Sequence, residues 1–291
     1  MNSEETDMSK ICRLEKEIQI DNCDCPPVYA DIRTADPERE LPVIILCHGF
    51  LGYKRWGWLP FISRRISERG FHTLTISFSM NGTDEKTGRI TKPDEFARNT
   101  FTREVHDLEN TLSFIRKGKL PIPANLKRWG LFGHSRGGAV CIITAGRFKE
   151  VKSLVTWSTP PSLDRYTDRR KKKWAESGRL AFQNSRADWP LYMNYSFYED
   201  VASNREKYDL PAKASKLRIP HLIIHGEQDA AVSLKEAERF TKLNRVDRIR
   251  FYRIEGCGHT FGVKHPMIRP TKELLLSLDK TEEWLVETVP E

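Results

Sequence analysis

The chain has 291 residues, 38% hydrophobic and 30% charged, with a formal net charge of +8. This balance excludes disorder, a collagen-like fibre and a membrane-spanning bundle, and it leaves room for one large α/β unit or two domains. No apolar run approaches the roughly 18 residues of a membrane span, and residues 1–10 (MNSEETDMSK) are polar and acidic, unlike a secretory signal. The expectation is a cytoplasmic protein with a frayed N-terminus and no membrane partner.

The six cysteines are scattered, so reduced thiols are expected and not a disulfide framework. Cys23 and Cys25 form one close pair, but no second Cys or His pair stands at zinc spacing; no metal and no cofactor are expected. Residues 1–40 carry 5 basic and 11 acidic groups, which leaves the remainder strongly basic. Its basic residues are nevertheless dispersed, apart from Arg169, Arg170, Lys171, Lys172 and Lys173. No zinc finger, basic zipper or RNA-recognition motif accompanies them. The run reads as a solvated helix face, and no nucleic-acid partner is expected.

In chain order, residues 12–20 and 28–32 read as antiparallel edge strands. Leu41–Cys47 (LPVIILC) is continuously apolar, as in a strand buried on both faces of a parallel sheet. Residues 71–78, 127–132, 151–157, 219–225 and 248–254 are further strands. Between them, Phe101, Val105, Leu108, Leu112 and Ile115 repeat every three or four residues along one helix face, and 139–145 is an apolar, central helix. The alternation predicts right-handed βαβ units and a mostly parallel sheet between helices. Residues 160–214 break the rhythm, with no buried-strand pattern but nine aromatic residues. They read as a small helical cap inserted after the sixth strand, with residues 1–159 and 215–291 forming the core.

The run Trp129 to Gly138 (WGLFGHSRGG) places Ser135 in a G-x-S-x-G pattern between a strand and a helix. That sharp turn needs small flanks, and the helix start supplies donors for developing negative charge. A serine needs a base, and the base needs an acid that fixes its tautomer. Asp229, in the loop after strand 219–225, is the candidate acid, with Glu227 as its competitor. His259, in the glycine-flanked loop after the next strand, is the candidate base. His265 reads as a loop residue, His72 and His106 lack a glycine-rich loop, and His48 reads as a structural hydrogen-bonding residue. The backbone N–H groups of Arg136 and of Phe50, in His48-Gly49-Phe50-Leu51-Gly52, are candidate oxyanion donors.

These motifs, in this order from Leu41 to Thr288, resemble the α/β-hydrolase superfamily. His48 to Lys54 (HGFLGYK) and Gly133 to Gly138 (GHSRGG) are similar to its cinnamoyl and feruloyl esterase and prolyl-oligopeptidase-like branch, related to dienelactone hydrolases. Arg136 stands where Gln, Met or Leu is more usual, and Phe78 to Thr83 lacks the acidic, glycine-rich signature common after the fourth strand. The resemblance implies an α/β-hydrolase fold and a cofactor-free serine hydrolase with the triad Ser135, Asp229 and His259. It disfavours dehalogenase and epoxide-hydrolase chemistry, whose members carry Asp at the nucleophile position. The expected activity is hydrolysis of small-molecule carboxylic esters with aryl or short-to-medium acyl groups, by a monomer or homodimer. Amide hydrolysis or acyl transfer by the same triad is the nearest alternative; a non-catalytic binding protein of this fold is a more distant one.

Overall fold

The computed structural model describes residues 12–22, 25–242 and 248–290. The N-terminal segment read as frayed, and Cys23 of the cysteine pair, lie outside the described residues. Eight strands form one sheet: β1 Leu14–Ile20, β2 Val28–Thr34, β3 Leu41–Cys47, β4 His72–Ser77, β5 Ala124–His134, β6 Val151–Trp157, β9 His221–Gly226 and β10 Ile249–Ile254, in the order β1-β2-β4-β3-β5-β6-β9-β10. β2 runs antiparallel to β1 and β4, and every other neighbouring pair is parallel.

The apolar run of β3 follows from its place in this order, between β4 and β5. Successive side chains of a strand point to opposite faces. Val43, Ile45 and Cys47 therefore join one core with α3 (Phe101–Arg116) and α4 (Arg136–Ala145), while Ile44 and Leu46 join a second with α1 (Leu59–Ser67) and the helix Lys272–Thr288. The helix predicted from the Phe101 to Ile115 spacing is α3, and all five of those side chains are buried. Among the described residues, no helix is long and apolar enough to cross a membrane.

Between β6 and β9 the chain forms α5 (Asp168–Ser177), the antiparallel pair β7 (Arg179–Phe182) and β8 (Leu191–Asn194), α6 (Ser196–Ser203) and α7 (Leu210–Lys216). The purely helical expectation for this insertion misses the hairpin. Its strands are four residues each, and in β8 only Leu191 and Met193 are buried, a pattern too short to separate from a loop by periodicity. β8 packs on α2 (Pro93–Arg98), α6 on α3 and α7 on α4. Within the insertion, the buried Trp174 gathers the rings of Tyr166, Tyr195 and Tyr198 and donates its indole N–H to the Met193 carbonyl at 3.0 Å. Arg169, Arg170, Lys172 and Lys173 are exposed on α5, whose one buried residue is Trp174.

Candidate active site

Ser135 is the residue between β5 and α4, at φ 51° and ψ −121°. A non-glycine residue there is strained, and the turn is held by its neighbours. Its N–H donates to the Trp157 carbonyl at 2.8 Å. A Cβ at Gly133 would come within 2.5 Å of Gly138 Cα, and one at Gly137 within 2.3 Å of the His48 carbonyl oxygen. Side chains at either flank are thereby excluded, which is the physical content of the glycine pattern.

Three loops at the carboxyl ends of strands converge at this turn. His259, after β10, has Nε2 at 3.0 Å from Ser135 Oγ and Nδ1 at 2.8 Å from Asp229 Oδ2. Asp229, after β9, accepts the Ala231 and Val232 N–H groups on Oδ1 at 2.9 and 2.8 Å. Burial pushes the Asp229 carboxyl up, but the hydrogen bond and charge of His259 and the Val232 N–H outweigh it and hold it below the ordinary carboxylate value. Ionised, Asp229 accepts Nδ1–H and leaves the Nε2 lone pair to receive the Ser135 hydroxyl proton. The competitor Glu227 is exposed, and its backbone N–H pairs with the Ile254 carbonyl at 3.0 Å.

Phe50 and Arg136 flank Ser135 on the wall of a cavity of about 450 Å³ that also includes His259. Among the described residues, no acceptor is paired with the N–H of either, which leaves both donors for a bound oxygen. The Phe50 turn is closed by the Gly52 N–H donating to the Gly49 carbonyl at 3.0 Å. His48 accepts the Phe78 N–H on Nε2 at 3.1 Å and donates Nδ1–H to the Gly49 carbonyl at 2.8 Å. Burial lowers its pKa to about 3, so both nitrogens serve the loop.

The other histidines separate as sharply. His72 is buried against Thr34 and the Arg39 and Pro123 carbonyls, His106 is exposed, and His265 accepts the Gly57 N–H at 2.9 Å.

A family model described as alpha/beta hydrolase fold matches residues 42–188. The chain belongs to this family. Est1E from Butyrivibrio proteoclasticus is similar over 94% of this chain and 99% of its own, with a TM-score of 0.68 at 18% identity. A dienelactone hydrolase from Anabaena variabilis is similar over 95% and 98%, with a TM-score of 0.63 at 14% identity. At these identities the likeness is one of fold. An uncharacterized 31.7 kDa protein of the traX-finO intergenic region of Escherichia coli is 30% identical over 116 residues, 40% of this chain and 36% of that protein. The chain thus matches about a third of the length of this curated relative.

Several residues of this α/β hydrolase that touch the site gave no sequence signal. His134, the variable residue before Ser135, donates Nε2–H to the His259 carbonyl at 2.9 Å; burial first, then the charge of His259, lowers its pKa to about 3. His225 places Nε2 at 3.5 Å from Asp229 Oδ2 and at 2.8 Å from the Val232 carbonyl. Trp56, Trp58, Leu163, Arg165 and Asn184 line the cavity, from segments that only the folded topology brings together. Of the nine insertion aromatics, Tyr166 and Phe197 line it.

The Arg136 side chain also belongs to the wall. Its guanidinium lies 4.5 Å over the Phe50 ring and 5.2 Å over Phe197, and Nη2 donates to Glu104 Oε1 at 2.5 Å. Glu104 is fully buried, and that burial raises its pKa despite the ion pair. The cation that stands where Gln, Met or Leu is more usual is thereby matched with a carboxylate inside the fold. Among the described residues no group of three or more His, Cys, Asp or Glu is placed to hold a metal.

Proposed function

We propose that this chain is a serine hydrolase that cleaves small-molecule carboxylic esters through an acyl-enzyme. The observation that carries the reading is the hydrogen-bonded series Ser135 Oγ, His259 Nε2, His259 Nδ1 and Asp229 Oδ2, opening with two unpaired amides into one cavity. In the first step His259 Nε2 takes the hydroxyl proton as Ser135 Oγ attacks the ester carbonyl. The carbonyl oxygen becomes the oxyanion, held by the N–H groups of Phe50 and Arg136. The C–O bond to the alcohol breaks, and His259 returns the proton to the leaving oxygen. Water then attacks the acyl-enzyme by the same path and releases the acid and free Ser135. Asp229 stays ionised and holds His259 in the required tautomer.

The cavity supports an aryl or C4 to C8 acyl group. Phe50, Leu51, Trp58, Leu163, Tyr166 and Phe197 give it apolar walls, and each buried methylene contributes about 0.8 kcal/mol. Est1E, the structural neighbour, has been solved with ferulic acid bound, an acid of this aryl kind. In this reading residues 160–214 act as a cap that completes the acyl pocket. Ser135, Asp229, His259 and both amides come from a single chain, so the reading suits a monomer or a homodimer alike. The test is labelling with a fluorophosphonate probe read by intact mass, followed by a panel of aryl and alkyl esters of graded acyl length. One adduct lost in Ser135→Ala, together with turnover of the esters, is expected; no adduct and no turnover would refute the reading.

A further inference from the structure

Among the described residues, Arg186 is a buried charge with no matching charge. It lies in the loop between β7 and β8 and is 8% exposed. Among the described residues no carboxylate oxygen stands within ion-pair distance of it. Glu85 is the acid whose field reaches it, but Glu85 is held by Lys54 at 3.1 Å. The guanidinium ends instead on two backbone carbonyls, Nη1 on Gly88 at 2.7 Å and Nη2 on Leu51, and lies 5.0 Å over the ring of Tyr53. Its own carbonyl accepts the Ile90 N–H at 2.9 Å, and its N–H donates to Asn184 Oδ1 at 2.8 Å. One side chain of the insertion thus fastens the turn after β3 and the 84–90 segment together.

Burying an unpaired cation is costly until hydrogen bonds and the ring offset the lost hydration. Fastening a hairpin to the core does not require so costly a group. The Leu51 carbonyl gives the cost a purpose. Leu51 follows Phe50, sits at φ 59°, and a non-glycine residue in that region is held there by its surroundings. Its carbonyl shares a peptide with the Gly52 N–H, which donates to the Gly49 carbonyl, and that carbonyl shares a peptide with the Phe50 N–H, so holding the first supports the direction of the last. The Phe50 ring is braced as well, by Arg136 on its face and by Phe182 of β7 edge-on at 5.1 Å.

We propose that Arg186 is a positioning residue: by holding the Leu51 carbonyl it aims the Phe50 N–H at the oxyanion, so a residue of the insertion bears on the rate of the chemical step. The proposal rests on the ester-hydrolase reading. The fork geometry matters, because a guanidinium reaches two carbonyls at fixed angles and an ammonium does not.

The test compares Arg186→Gln and Arg186→Lys with wild type on an aryl butyrate. It reads kcat and KM separately, hydrogen–deuterium exchange over residues 49–53, and melting temperature. Since one oxyanion donor is worth roughly 10² to 10³ in kcat, its misdirection in Arg186→Gln is expected to cost at least about tenfold in kcat with KM nearly unchanged. Exchange over 49–53 should rise, and Arg186→Lys should recover part of both. A Gln variant with wild-type kcat, or a loss confined to KM, would overturn the proposal. So would a kcat loss that tracks the unfolded fraction while exchange over 49–53 stays at the wild-type level. Should the Gln variant not fold, the Lys variant decides: unchanged kcat and unchanged exchange overturn the proposal. Failure of the wild type to turn over esters or take the fluorophosphonate label is a different result, and it sinks the hydrolase reading itself.

Discussion

One part of the cavity wall is made by loops at the strand ends of the core, the other by the insertion between β6 and β9, and the two are built differently. The core part is specified by close contact and by short polar bonds. Backbone approaches at Gly133 and Gly137 leave no space for a Cβ, and Asp229, His259 and Ser135 form one hydrogen-bonded line. The insertion part is specified by bulk: Tyr166 and Phe197 present rings to the cavity, while Trp174 fills the space behind Tyr166. The difference teaches where substitutions should act. Polar changes in the core part should stop chemistry with little effect on selectivity, whereas ring changes in the insertion should divide between selectivity and stability.

The largest effect is expected for Ser135→Ala, which should lower turnover by about 10⁶ with the melting temperature preserved. Turnover within tenfold of wild type would break the comparison at its core side. Asp229→Asn should cost about 10⁴ in kcat, because the amide stabilises the wrong tautomer of His259. Glu227→Gln, at an exposed position, should leave kcat close to wild type; the reverse ranking would move the acid to Glu227.

Stability should depend on pH through the buried histidines. His48, His134 and His221 are pushed down to about 3 by burial. Their folded pKa values lie below the unfolded value near 6.5, so the unfolded chain takes up these protons first as pH falls. Each contributes stability that is full above about 6.5 and is lost at up to about 1.4 kcal/mol per pH unit down to about 3. Asp107 works the other way: burial raises it to about 6, so it favours the folded state as pH falls below that value. Glu85, Glu104 and Glu282, also raised by burial, act with Asp107, while His72, His225 and His265 are lowered by burial and Asp229 is lowered by His259, and they act with the three imidazoles; the second set is the larger, and the melting temperature is expected to drop between pH 7 and pH 4. A flat or rising profile would overturn this expectation and give the balance to the buried carboxyls.

The smallest effects sharpen the insertion side. Phe197→Ala should reduce kcat/KM for aryl and C4 to C8 esters by about 10- to 100-fold relative to acetate, the scale of a lost apolar pocket contact. Trp174→Ala should instead cost about 3 to 5 kcal/mol of stability and leave the acyl-length profile of the remaining folded protein unchanged. Should Trp174→Ala shift the profile and Phe197→Ala not, the rings would have the opposite division of labour.

The parallel strands and the three site loops were legible because they are local. A strand buried on both faces must be apolar at every position, as Leu41–Cys47 is, and a sharp strand-to-helix turn must be flanked by glycine, as Ser135 is. The order of Ser135, Asp229 and His259 along the chain and the 3.6-residue period of α3 were legible for the same reason. What the sequence left undecided involves partners distant in sequence. The pairing of Arg136 with Glu104 spans 32 residues, and that of Arg186 with Leu51 spans 135. The β7–β8 hairpin, four residues a side, is specified by its packing on α2 and not by a period of its own. Whether an insertion aromatic faces the cavity or the interior also depends on how α5 and α6 seat on the core. Local composition determined which chemistry the chain carries; tertiary packing alone decided which buried charges were matched, which amides were left without acceptors, and which two of nine rings face the cavity.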